Sequence, residues 1–215
     1  MKKIKVIFTL LLTILNLCVS AQFESMKQIY KSSNYKEILE THKVVAILPF
    51  KATISYKRMP KGYSSEANAL EEKKLGLIMQ QGMFTYLLRK EDDYTVKFQD
   101  VERSNILLRK AGIFDNLDEI LADSICKILN VDAIIKCAYQ YEKTGSEAGA
   151  IASAILLGGG GKTGSGGLIM QINDKKDGEL VWRFYKEMNE SFLSNANEIM
   201  ERMMRKLSRN FPYKK

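Results

Sequence analysis

At 215 residues the chain is sized for one domain with appendages. Its 46% hydrophobic and 27% charged content exclude a disordered or collagen-like chain. The formal net charge is +8, but the cations are dispersed and no aromatics interleave with them, which excludes a nucleic-acid-binding stripe. One histidine, His42, and 3 cysteines leave almost no material for a histidine-based zinc site or a Ser-His-Asp triad.

Met1-Lys2-Lys3-Ile4-Lys5 is a basic start, and residues 6–19 are almost unbroken apolar. Val19-Ser20-Ala21 then supplies small residues before Gln22, so residues 1–21 read as a secretory signal peptide cleaved after Ala21. An uncleaved anchor needs a longer apolar run. Lipidation at Cys18 needs a small residue where Leu17 stands. Loss of Lys2, Lys3 and Lys5 lowers the net charge from +8 to +5. Cys126 and Cys137 then remain, and two buried thiols or a disulfide both stay open.

Residues 22–42 carry Phe23, Met26, Ile29, Tyr30, Tyr35, Ile38 and Leu39 at near-helical spacing, which predicts a helical extension at the domain edge. Lys43-Val44-Val45-Ala46-Ile47-Leu48-Pro49-Phe50 reads as a strand buried on both faces. Residues 52–64 read as a loop containing Pro60, Gly62 and the cations Lys57, Arg58 and Lys61. Ser64 caps a helix running to about residue 91, in which Gly76 and Gly82 imply close packing on a strand. Residues 94–98 alternate as a half-exposed strand, and residues 101–111 form a helix stopped by Gly112. Asn116 opens a further helix reaching Asn130, and Val131-Asp132-Ala133-Ile134-Ile135-Lys136-Cys137-Ala138-Tyr139 is the second buried strand. Residues 168–172 and 180–185 form a hairpin about the turn at Gly178. A closing helix spans residues 189–210, and the tail 211–215 is loose.

Residues 145–167 are half small and apolar, half glycine. Gly161-Lys162-Thr163 invites a phosphate loop, but Leu156 stands where the first glycine is needed and a strand follows instead of a helix. Nucleotide binding is therefore set aside. Ala148, Ala150, Ile151, Ala154, Ile155, Leu156 and Leu157 make an apolar patch too short to span a membrane as a helix; it is the candidate contact for a partner, for a second copy or for the membrane. Asp115, Asp118, Glu119 and Asp123 lie in and near the first turns of a helix and read as offsets to its dipole. No catalytic, cofactor-binding or metal-binding residue is legible.

The order of elements predicts an α/β fold. In detail it is a three-layer sandwich, with a central mixed sheet of about five strands flanked by helices and a Gly-rich hairpin insertion. Four motifs then resemble one family. They are Val44-Val45-Ala46-Ile47-Leu48-Pro49-Phe50; Ser104-Asn105-Ile106-Leu107-Leu108-Arg109-Lys110-Ala111-Gly112-Ile113; Leu129-Asn130-Val131-Asp132-Ala133-Ile134-Ile135; and the Asp174, Gly178, Trp182 hairpin. Over residues 43–210 they are similar to the TolB N-terminal-like and CsgG-like periplasmic domains, with Asn130 where that family has glycine. The resemblance implies a non-enzymatic α/β domain in the periplasm or at the outer-membrane periphery, without cofactor. It implies work through envelope proteins or self-association, with outer-membrane contact as a further option. The alternatives are a subunit of a CsgG-like secretion channel and a hydrolase of envelope polymers.

Overall fold

The computed structural model describes residues 27–143, 162–191 and 196–215. In chain order the elements are β1 (Lys27–Lys31), α1 (Tyr35–Thr41), β2 (Val44–Ile47), β3 (Lys51–Tyr56), α2 (Ser65–Leu88), β4 (Lys97–Phe98), α3 (Val101–Lys110), α4 (Ala122–Leu129), β5 (Ala133–Lys143), β6 (Lys162–Asp174), β7 (Leu180–Ser191) and α5 (Ala196–Leu207). The fold is α/β, as the order of elements predicts. Its 7-stranded mixed sheet runs β1-β7-β6-β5-β2-β4, with β3 pairing β5 off this path. β5 lies parallel to β2 over Ala133–Ile135, then parallel to β3 from Ala138 to Lys143. β6, β7 and β1 continue the sheet antiparallel.

The sheet has more strands than the sequence suggests because two stretches differ from their expected states. Residues 27–31 are a strand instead of part of a helical extension; only Tyr35–Thr41 is helical there. Residues 51–56 are a strand instead of a loop, with Ala52 and Ile54 buried and their neighbours exposed. Three further boundaries move. Asn116 caps nothing with its side chain and precedes a 3-10 turn, so the helix before the second buried strand starts at Ala122. β7 extends to Ser191, so the closing helix starts later. The tail is held instead of loose: Tyr213 is fully buried and Phe211 nearly so, and Thr95 N–H donates to the Tyr213 carbonyl at 2.9 Å.

Local chemistry explains the elements that match. Ser64 Oγ accepts from Ala67 N–H at 3.2 Å, and Asp100 Oδ1 accepts from Arg103 N–H at 2.8 Å, each capping a helix. Asn130 has φ 53°, the left-handed conformation that glycine or asparagine adopts at a helix end. Gly76 meets the strand-packing expectation directly: a Cβ there would lie 2.2 Å from the Phe50 carbonyl oxygen, so α2 crosses the β2–β3 corner backbone to backbone.

Two cores result. The larger lies under α1, α2 and α5 and takes Ile47, Ile135, Met170, Trp182 and Phe184 from the sheet. The smaller lies on the opposite face, where α3 and α4 cover Ala46, Leu48 and Ile134. None of the smaller core's buried residues comes from β6, β7 or β1. The sandwich therefore has three layers over β2 and the start of β5 and, among the described residues, two layers beyond. Cys137 belongs to the larger core and Cys126 to the smaller, so the sheet separates them and both thiols are free.

Candidate interaction surface

One face of the sheet carries no helix over β6, β7 and β1 among the described residues, and strand register sets its composition. Neighbouring strands bring Lys136, Gln171, Arg183 and Tyr30 into one row, and Ala138, Ile169, Tyr185 and Gln28 into the next. Lys136, Ala138, Ile169, Gln171, Arg183 and Tyr185 are half-buried, and Tyr30 is 51% exposed. The Tyr185 ring lies over Gly167, where a Cβ would meet its Cε2 at 3.3 Å. Its hydroxyl donates to Glu187 Oε1 at 3.3 Å, and partial burial with the Glu187 charge pushes its pKa up. The face thus has an apolar-aromatic centre edged by amides and cations. Such a composition suits stacking and hydrogen bonding.

The ends of the sheet differ. At β3, two α2 side chains take the outward groups of Ile54: its N–H donates to Glu72 Oε1 at 2.7 Å, and Asn68 Nδ2 donates to its carbonyl at 3.2 Å. At the other end, β1 is exposed along its whole length, and among the described residues no strand lies beyond it.

Behind β1 sits the lone histidine. His42 is buried, with Nε2 2.8 Å from Asp174 Oδ1 and Nδ1 2.7 Å from the Tyr213 hydroxyl. A carboxylate only accepts, so Nε2 carries the proton in the neutral ring and Nδ1 accepts from Tyr213. Burial, then the charge of Asp174, raises the Tyr213 pKa well above its ordinary value. This chain ties α1, the β6–β7 turn and the C-terminal segment together. Nearby, Asp132 Oδ2 accepts from Lys43 N–H and Val44 N–H, both at 3.0 Å, while Oδ1 accepts from Lys175 Nζ at 3.2 Å. Burial alone would raise the Asp132 pKa, but these donors hold it below the ordinary value. A cleft of about 440 Å³ opens between α1 and the C-terminal segment, with Ile29, Lys31, Leu39, His42 and Phe211 on its walls.

The candidate contact residues Ala148, Ala150, Ile151, Ala154, Ile155, Leu156 and Leu157 lie outside the described residues. Lys162 and Thr163 belong to β6. Three of the four acidic residues are in separate ion pairs: Asp115 Oδ1 with Lys73 Nζ at 2.6 Å, Asp118 with Lys51, and Asp123 Oδ2 with Lys127 Nζ at 2.7 Å. Among the described residues, no group of three or more His, Cys, Asp or Glu is placed to hold a metal, and no helix is long and apolar enough to cross a membrane. Burial pushes the Cys126 thiol up to about 12, with Asp174 adding to the effect, and raises Cys137 well above its ordinary value, so neither is a ready nucleophile. Sequence reasoning missed the uncovered face, the open edge and the histidine chain. A signal existed for the face alone, in the mixed polar and apolar positions of residues 168–172 and 180–185.

No protein-family profile matches this chain, those of TolB and CsgG included, and no curated protein does. Solved structures similar to it include the lipoprotein GNA1162 from Neisseria meningitidis, at 7% identity and TM-score 0.46, covering 78% of this chain and 96% of that one. The PelC dodecamer from Paraburkholderia phytofirmans is similar at 13% identity and TM-score 0.43, covering 88% and 97%. The LpoB C-terminal domain from Salmonella enterica is similar at 9% identity and TM-score 0.36, covering 73% and 96%.

Proposed function

We propose that this chain is a non-enzymatic, exported cell-envelope protein that works by binding other proteins through the uncovered sheet face. The observation that carries this reading is the half-buried band of Lys136, Gln171, Arg183, Ile169 and Tyr185 with no helix over it among the described residues. A sheet face with an apolar-aromatic centre ordinarily lies against something. The basic and apolar start of residues 1–21 and the four TolB- and CsgG-like motifs support an envelope location.

The test is a photo-crosslinking amino acid placed singly at Gln171, at Arg183 and, as a control, at Lys110 on α3. Discrete adducts from the two sheet positions and none from Lys110 are expected. Equal labelling from all three overturns the reading. Sizing with and without detergent separates its two forms: an adduct of twice the chain mass marks self-association, as a channel subunit requires, and a different mass marks a distinct partner.

A further inference from the structure

The edge strands β3 and β1 are not equally protected, and the unprotected one has a definite chemistry. Ser32 N–H donates to the Val181 carbonyl at 2.9 Å, which makes position 32 a hydrogen-bonded position opposite β7. Antiparallel alternation then turns the N–H and C=O groups of Lys27, Ile29 and Lys31 outward, away from β7. The same three residues share one sheet face, and Ile29 and Lys31 wall the cleft of about 440 Å³. A strand laid along this edge gains backbone hydrogen bonds and sends the residue opposite Ile29 toward that cleft.

Charge selects the occupant. Lysines stand at both ends of β1, and Lys186 lies opposite Lys27 on β7. The charged residues of the cleft wall are Lys31, Lys36 and Arg209 against Glu40, apart from His42. A second copy pairing antiparallel about Ile29 would set Lys27 against Lys31, which like charges oppose. We propose that β1 is the docking edge for an extended acidic segment of a partner protein. The segment adds as a strand, with carboxylates opposite Lys27 and Lys31 and an apolar residue opposite Ile29. This deepens the protein-binding reading and rests on it, while using a different part of the molecule.

The experiment titrates the purified protein with end-capped five-residue peptides, read by amide chemical shifts. The first has glutamate at both ends, valine at the centre and threonines between; the second replaces the glutamates with lysines. Saturable shifts confined to β1 and the cleft are expected from the first peptide, with at least tenfold weaker binding by the second. Two further versions of the first carry an N-methyl group on the valine or on both threonines. Antiparallel addition requires loss with valine methylated and retention with threonines methylated; the reverse pattern is strand addition in the parallel sense. Equal retention or equal loss overturns strand addition, as does failure of the first peptide to saturate.

The protein side is checked with Ile29→Pro, which removes an outward N–H and none that faces β7, and should abolish binding. Lys27→Glu combined with Lys31→Glu should reverse the preference between the two peptides, and unchanged preference overturns the charge argument. Crosslinks from Gln171 and Arg183 without peptide binding would sink the edge and leave the face reading standing.

Discussion

β3 and β1 are both edge strands of one sheet, and they are finished in opposite ways. β3 is overlaid by α2, whose Asn68 and Glu72 take the outward carbonyl and N–H of Ile54, while Tyr56 donates to Asn68 Oδ1 at 3.1 Å. β1 has no such cover among the described residues and carries lysine at each end. The difference shows how an edge is closed without another strand. A helix must approach closely enough for short amide and carboxylate side chains to reach the backbone, and Gly76 supplies that approach at Phe50. Where no helix approaches, charge does the guarding, and charge excludes like partners while admitting opposite ones.

The comparison can be broken from the closed side first. Gly76→Val drives a branched side chain into the Phe50 carbonyl, and no flexible neighbour can yield. The expected loss is about 3 kcal/mol, measured as a fall in the urea midpoint. Next comes Glu72→Ala, which leaves the Ile54 N–H without its acceptor; a loss of roughly 1–3 kcal/mol is expected, with Glu72→Gln recovering most of it. A gain in self-association of the alanine variant, read by light scattering, would show that the edge had been opened.

A smaller effect is expected from the pair beside β3, where Lys143 Nζ lies 3.2 Å from Glu71 Oε1. Burial alone would lower the Lys143 pKa, but Glu71 raises it above the ordinary value. A raised folded pKa contributes stability that is fully present below the unfolded lysine value of about 10.4 and is lost as pH rises through the folded value. The side chain is 34% exposed, so solvent screening reduces the contribution to about 0.5 kcal/mol. Lys143→Met should show that deficit at pH 7 and lose it in denaturation curves only as pH rises beyond about 10.4 and through the folded value. Smallest of all should be the effect of Ile29→Pro at the open edge, because proline is tolerated on an edge strand where the N–H it removes faces away from the sheet. A large loss there would show that the outward groups of β1 already have a partner.

Sequence and structure agree where burial is two-sided or a turn is marked. The apolar runs at residues 44–47 and 133–135 and the hairpin about Gly178 are legible for that reason, whereas beyond Ile135 the strand is buried on one face only. β3 was legible in principle, since Ala52, Ile54 and Tyr56 alternate with polar residues, but Pro49 before it and the basic loop after it hide the pattern. β1 carries no periodicity because all of its residues are exposed, so nothing in Lys27-Gln28-Ile29-Tyr30-Lys31 distinguishes strand from helix. The tail at Phe211 and Tyr213 reads as loose in sequence because its partners are remote: His42 lies 171 positions from Tyr213 and 132 from Asp174. The same separations hide the candidate surface, which exists only once register has brought four strands side by side.

β1 has a last consequence, which is kinetic. Its partner residues on β7 run from Trp182 to Lys186, the longest separation along the chain of any pairing in this sheet. The β6–β7 hairpin closes about its own turn, so it zips early, while β1 must wait for a long loop to close. During that interval β7 is the edge strand, and the backbone that β1 later covers is bare. Refolding should therefore lose yield as concentration rises, by β7 edges meeting one another before β1 arrives.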